Sequence, residues 1–147
     1  MSQSSGSEVV DPTVVDTDVL SFWQKTDTRG AEYARILAGR TLIISFQTVA
    51  EQLRWAEERN WGDQRRRELE DFLKRFLVQP YSIDLAREWA TLMASMGKAG
   101  HPMASGDGWI AATALLVGAP LATHNRRDFE SIPSLTIISF APPRSQA

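Results

Sequence analysis

Residues 107–128, DGWIAATALLVGAPLATHNRRD, decide the fold. The stretch opens on an acid and runs through Ile110, Ala111, Ala114, Leu115 and Val117 as an apolar helix with small residues for close packing. Gly118 stops it, being the residue type that most readily takes the left-handed turn at a helix end. Residues 121–123 then form a short apolar strand that runs directly into His124, Asn125 and Asp128. In an open α/β sheet, ligands collect just beyond the carboxyl ends of the strands. These polar residues therefore hang over the edge where a site is built, and Asp107, leading into the preceding helix, can face the same place.

Working outward, the same grammar recurs. Thr13, Val14 and Val15 make a β-branched strand that ends at Asp16, Thr17 and Asp18, and residues 19–23 read as helix. A polar turn at 27–30 leads into a helix through Leu37 that Gly39 closes, and residues 41–45 make a second strand. Thr48 is expected to open a long helix with Val49, Leu53 and Ala56 on its buried face and Glu51 in its first turn. After a break at Trp61-Gly62, residues 63–76 form a charged helix with Leu69, Phe72, Leu73 and Phe76 at helical spacing. Leu77-Val78 reads as a third strand, residues 84–96 as an amphipathic helix using Leu85, Trp89, Leu92 and Met93, and residues 97–106 as a loop. Beyond the opening stretch, residues 135–138 supply the last strand. Short apolar strands alternating with helices imply a parallel sheet covered on both faces. Residues 1–11 and 141–147 read as flexible tails around one domain at 12–140.

Composition agrees with one domain and narrows its setting. The chain has 147 residues, 43% of them hydrophobic, with five Trp, enough for a real core. A net charge of -2 gives no global pull towards nucleic acid or anionic lipid, so any polyanion site must be local. Without Cys there is no disulfide framework and no thiolate metal site. No export signal and no run of membrane-spanning length is present, and the expectation is a soluble, cytoplasmic protein with no membrane partner.

Asp16, Glu51, Asp107 and Asp128 follow three different strands or start helices that face them, so this topology can bring all four to one edge. Carboxylates gathered in one pocket repel, and a hard divalent cation such as Mg²⁺ or Mn²⁺ resolves the conflict while keeping waters and room for a phosphate. The chemistry implied is metal-dependent phosphoester hydrolysis. Each acid also has a plainer role: Asp16 or Asp18 as a helix cap, Glu51 in a Thr48-x-x-Glu51 capping box, Asp107 against a helix dipole, Asp128 in a surface ion pair with Arg126 or Arg127. It is the coincidence of four acids that favours a site.

The blocks Val14-Val15-Asp16-Thr17-Asp18-Val19-Leu20, Ile44-Ser45 with Thr48 and Glu51, Asp107-x-x-Ile110-Ala111-Ala112-Thr113-Ala114-Leu115, and Leu121-x-Thr123-x-Asn125-x-x-Asp128-Phe129 with Ile132 and Leu135 occur in that order over nearly the whole chain. Together they resemble the PIN-domain family, and within it the VapC toxin ribonucleases. The resemblance implies a three-layer α/β/α sandwich with a central, mostly parallel, four- to five-stranded sheet. It implies an Mg²⁺-dependent endoribonuclease, with Mn²⁺ able to substitute, that cleaves structured RNA such as tRNA or rRNA. A cognate VapB-like antitoxin and a homodimer are implied with it. Asp16, Glu51, Asp107 and Asp128 take the catalytic and metal-binding roles, supported by Thr17, Asp18, Thr123 and Asn125. Asn125 stands where many relatives carry an acid, so Asn125 and Asp128 are alternatives for completing the site, and Asp18 is a carboxylate where a neutral polar residue is usual.

Arg126 and Arg127 would flank the acidic edge and hold RNA phosphates. Arg65-Arg66-Arg67 with Lys74 and Arg75 is denser but interleaved with Glu68, Glu70 and Asp71, which reads as a solvated helix face. Trp55 and Trp61, near a helix end, suit a dimer or antitoxin interface, Trp89 and Trp109 suit the core, and His101 and His124 are the two candidate imidazole bases. Two rival readings remain. Val14 to Val19 also resembles the first motif of haloacid-dehalogenase-type phosphomonoesterases, whose last motif, however, needs an acid at position 111, where Ala stands. The other rival is a non-catalytic PIN-like module that binds RNA or protein.

Overall fold

The structure, a computed structural model, describes residues 8–140; most of the expected N-terminal tail and all of residues 141–147 lie outside the described residues. Of the remaining tail residues, Val10 exchanges hydrogen bonds with Thr41, its N–H donating to Thr41 Oγ1 and its carbonyl accepting from the Thr41 N–H. Five strands form one parallel sheet: β1 (Thr13–Val15), β2 (Leu42–Ser45), β3 (Leu77–Gln79), β4 (Leu121–Ala122) and β5 (Ile137–Ile138), in the order β3-β2-β1-β4-β5. The helices are α1 (Thr17–Gln24), α2 (Thr28–Ile36), α3 (Phe46–Glu58), α4 (Asp63–Leu73), α5 (Ile83–Lys98), α6 (Ser105–Val117) and the single turn α7 (Arg126–Phe129). Among the described residues no helix is long and apolar enough to cross a membrane.

Side chains in a strand alternate between the two faces, and the core follows that period. Val14, Ile43 and Leu121 face one way into a cluster with Leu85, Leu92, Ile110 and Phe129. Val15, Ile44 and Ala122 face the other way, against Val19, Leu20, Tyr33, Leu69 and Leu73. The chain therefore builds three layers, with the sheet between helices. Helix α6 is buried on nearly every side: Gly108, Ile110, Ala111, Ala112, Thr113 and Ala114 are all inaccessible. Its small residues let α5 and the sheet approach, and Gly118, at φ 68°, ends it.

Helix α3 corrects two expectations. It starts at Phe46, not Thr48: Ser45 is the N-cap, its Oγ accepting the Thr48 N–H at 3.1 Å. Thr48 is thus the third residue of the helix and Glu51 lies a turn further on, so no Thr48–Glu51 capping box exists and Glu51 is released for another role. Leu53 is exposed, while Thr48, Gln52 and Ala56 form the buried stripe. The polar Gln52 takes an inward position, with Val49 of the expected face partly buried against the same core. Elsewhere α6 begins at Ser105, two residues inside the expected loop, and the charged helix ends at Leu73. On the polar face of α4, Lys74 pairs locally with Asp71 as expected, whereas Arg66 reaches across to Glu57 on α3.

Candidate functional site

β1 is the centre of the sheet. From it the chain runs outward through β2 and β3 on one side, and β4 and β5 occupy the other, so the crevice between β1 and β4 is the topological switch point. Register then fixes the first contact. Val15 lies beside Ala122, which sets Asp16 next to Thr123 just past the strand ends. The Asp16 N–H donates to the Ala122 carbonyl at 2.9 Å, and Thr123 Oγ1 donates to Asp16 Oδ2 at 2.7 Å. The other carboxylate oxygen accepts the Thr17 N–H at 2.8 Å, so Asp16 also caps α1. Capping and site geometry coincide in one side chain, which is only 5% exposed.

On the opposite wall α3 brings Glu51 across to α1. Thr17 Oγ1 donates to Glu51 Oε1 at 2.7 Å and lies 3.0 Å from Thr48 Oγ1, and Thr48 is fully buried. Asp107 enters from the first turn of α6. Asp18 is held by the His124 backbone, whose N–H donates to Oδ2 at 3.0 Å, while buried Oδ1 has no protein partner among the described residues. Together with Ser21, Phe22, Lys25, Asp27, Arg29, Arg54, Trp55, Glu58, Ile110 and Asn125, these acids line a cleft of about 610 Å³.

The acids are electrostatically strained. Burial pushes the Asp16 carboxyl well above the usual carboxylate range, and the nearby Asp18 and Asp107 charges add to it against the opposing hydrogen bonds from Thr123 and Thr17. Burial raises Asp18 too, offset by the backbone N–H groups it accepts from. Asp107 is raised by burial, then by the charges of Asp128, Glu51 and Asp18. Four carboxylates acting on one another across a cleft, with one buried oxygen left unpaired, form a donor set of hard oxygens. That set fits a divalent cation. Among the described residues no three acids close on a single point.

The expected residues divide. Asp16, Thr17, Asp18, Glu51, Asp107 and Asn125 line the cleft, and Thr123 supports it from beneath. The Asn125 N–H donates to Thr123 Oγ1 at 3.0 Å, tying the loop to the same hydroxyl that holds Asp16. Asp128 is exposed on α7 and outside the lining, though near enough to act on Asp107; Arg126 and Arg127 are exposed beside it. The His124 ring turns away: its Nδ1 is 2.9 Å from the Tyr33 hydroxyl, and it packs on Phe22 and Phe140. Its backbone, not its imidazole, serves the acids. The sequence reading missed Thr48 as a site residue, along with Lys25, Arg29, Arg54 and Trp55. For Arg54 and Trp55 a signal existed, because they stand one turn beyond Glu51, where a helix repeats its face.

Comparison with known proteins agrees with this geometry. The family model described as PIN domain matches residues 13–135. A protein named VapC ribonuclease Y4jK, from Sinorhizobium fredii, is 34% identical over 127 residues, covering 80% of this chain and 90% of that one. Ribonuclease VapC1 of Haemophilus influenzae is 27% identical over 124 residues, covering 83% and 92%. Among solved structures, DNA-bound VapBC from Salmonella typhimurium matches with a TM-score of 0.76 at 25% identity, over 87% of this chain and 97% of that chain. VapBC2 from Rickettsia felis bound to a promoter DNA fragment matches in fold with a TM-score of 0.78 at 22% identity, over 88% and 98%.

Proposed function

This chain belongs to the PIN-domain family, and from that premise we propose that it is a VapC-type toxin: a divalent-metal-dependent endoribonuclease neutralised by a cognate VapB-like antitoxin. The observation that carries the reading is the placement of Asp16, Asp18, Glu51 and Asp107 around one cleft at the β1/β4 switch point, with burial raising Asp16, Asp18 and Asp107 and neighbouring carboxylate charge adding to it at Asp16 and Asp107. Neither rival explains it as well. A haloacid-dehalogenase-type site needs an acid where fully buried Ala111 packs in the core, and a non-catalytic module would have no use for repelling carboxylates.

Mg²⁺, with Mn²⁺ as substitute, is the proposed cofactor, and Asp16, Glu51 and Asp107 are its proposed holders. When bound, such an ion offsets the carboxylate charge, lowers the pKa of a water and stabilises the oxygens of an in-line displacement at phosphorus. The chain's own residues supply orientation. Thr123 and the Thr17 N–H fix both Asp16 oxygens, each keeping a lone pair for the cleft. The Thr17 and Thr48 hydroxyls aim Glu51, and His124 holds Asp18 through its backbone. Asn125 completes the lining in the fourth position, with Asp128 as a further acid outside it. Arg126 and Arg127 hold backbone phosphates at the rim. The proposed substrate is structured cytoplasmic RNA such as tRNA or rRNA, cut where a strand is unpaired. A homodimer is the proposed assembly, supported by the exposed Leu77, Val78, Tyr81 and Ile83 gathered at and just after the edge strand β3.

The test is cleavage of total cellular RNA by the purified wild type, Asp16→Ala and Asp107→Ala in Mg²⁺, Mn²⁺ and EDTA. Discrete fragments are expected from the wild type with either metal, lost in EDTA and reduced at least about a hundredfold in both variants. Full activity in a variant would remove that residue from the mechanism, and no cleavage by the wild type under any condition would overturn the nuclease reading.

A further inference from the structure

The acid cleft has an aromatic wall that the metal chemistry does not use. Trp55 stands one turn beyond Glu51 on α3, about 6 Å further along the axis, and lines the same cleft as Lys25, Arg54 and Glu58. Two cations approach its ring without closing on it: Arg59 Cζ is 5.2 Å from the centroid and Lys25 Nζ 5.9 Å. Elsewhere in the molecule cations sit closer over half-buried rings. Arg65 lies 3.9 Å over Trp61, and Arg29, itself fixed by Asp27 at 2.8 Å, lies 4.1 Å over Phe22, the other aromatic of the cleft. Phe22 thus carries Arg29 close over its ring, while half-buried Trp55 has no cation within 5 Å of its centroid among the described residues. Lys25 is exposed on a flexible stem at the end of α1 and can leave the ring for a phosphate.

We propose that Trp55, with Lys25 and Arg54, is a base-stacking subsite that takes the unpaired base of a nucleotide adjoining the scissile phosphate of single-stranded RNA. This rests on the nuclease reading and specifies how it selects its substrate. The chemistry is that of single-strand recognition: an unstacked base lies on an indole while cations beside it hold the backbone. Two features favour a nucleotide over a protein segment. The platform faces the same cleft as the phosphate-cleaving acids, not a separate face, and the cations around it, Lys25, Arg54 and Arg59, outnumber Glu58, which pairs with Arg54 at 2.7 Å, leaving a positive excess that matches a polyanion. A duplex cannot use it, because its bases are already stacked, so the subsite restricts cutting to loops and unpaired ends.

The experiment uses a uridine octamer of RNA with a single central 2-aminopurine, and a matching octamer with an abasic site there, bound to wild type, Trp55→Ala and Trp55→Phe in Ca²⁺. Cleavage of total RNA in Mg²⁺ is measured in parallel. The wild type is expected to quench the 2-aminopurine and to bind its octamer at least about fivefold more tightly than the abasic one. Trp55→Ala should lose both the quench and the preference, and Trp55→Phe should keep most of each, which separates stacking from a general loss of fold. If the wild type cleaves RNA but Trp55→Ala retains quench and preference, the subsite is overturned and the nuclease reading stands. If Trp55→Ala instead binds both octamers as the wild type does but loses its antitoxin, Trp55 belongs to a protein interface and the subsite is again overturned. If the wild type does not cleave yet shows a Trp55-dependent preference, Trp55 stands as a base platform for single-stranded RNA with no scissile phosphate beside it, and the nuclease reading falls.

Discussion

At the scale of single residues, the acids of the cleft couple stability to pH in an unusual direction. Asp16, Asp18 and Asp107 are all raised in the folded state above the ordinary value of 3.8. Ionising them therefore costs more folded than unfolded. Their contribution is fully present below the ordinary value and is lost as pH rises through the raised ones, the reverse of a salt-bridged carboxylate. Asp107→Asn removes one such group, and without metal it should melt a few degrees above wild type near neutral pH. That gain should shrink as pH falls through the raised value and vanish only below the ordinary value of 3.8, where wild-type Asp107 is protonated in both states. Thermal melts from about pH 4 to pH 8 in EDTA check this, and a gain that stays constant with pH would assign the effect to packing instead. The same residue scale shows where sequence reading stops: cap and cleft acid read as alternatives for Asp16, and the side chain both caps α1 and lines the cleft.

At the scale of elements, two helices position the site by opposite means. α3 does so through its cap. Ser45 closes β2 and caps the helix in one step, which turns Thr48 inward and Glu51 towards Thr17. α6 does so through close approach. Gly108 sits against α5 where a Cβ would lie 2.4 Å from Met93 Sδ and 3.0 Å from Trp89 Nε1, one residue after Asp107. Gly108→Ala should push α6 away from α5, destabilising the fold by about 1–3 kcal/mol and displacing Asp107 with it. Chemical denaturation and RNA cleavage of the variant measure the two effects. An unchanged stability would mean that Met93 and Trp89 reorient freely. The helix itself was legible from its apolar run and its terminal glycine; the need for Gly108 was not, because Trp89 and Met93 lie on another helix.

At the scale of the whole molecule, the carboxylates of the cleft leave negative charge that a bound cation would offset. An ion that binds only the folded state at about a hundred times its dissociation constant adds roughly 2.7 kcal/mol. For a domain of this size that is a rise in Tm of roughly 5–10 °C. Mg²⁺ or Mn²⁺ should produce such a rise in wild type, and the rise should largely vanish in Asp16→Asn, as scanning calorimetry with and without EDTA would show; an equal rise in both would place the ion elsewhere. The sequence by itself determined the alternation of apolar strands and helices, the acids at strand and helix ends, and the helix–turn–strand block at 107–128, because period, capping residues and turn residues act locally. Tertiary structure alone decided which acids share a cleft. The Val15–Ala122 register seats Asp16 on Thr123, Asn125 lines the cleft while Asp128 stays exposed, the His124 ring turns to Tyr33, and Trp55 joins Glu51. The reason is physical: a side chain's direction depends on strand register and helix packing, and these are set by partners tens of residues away.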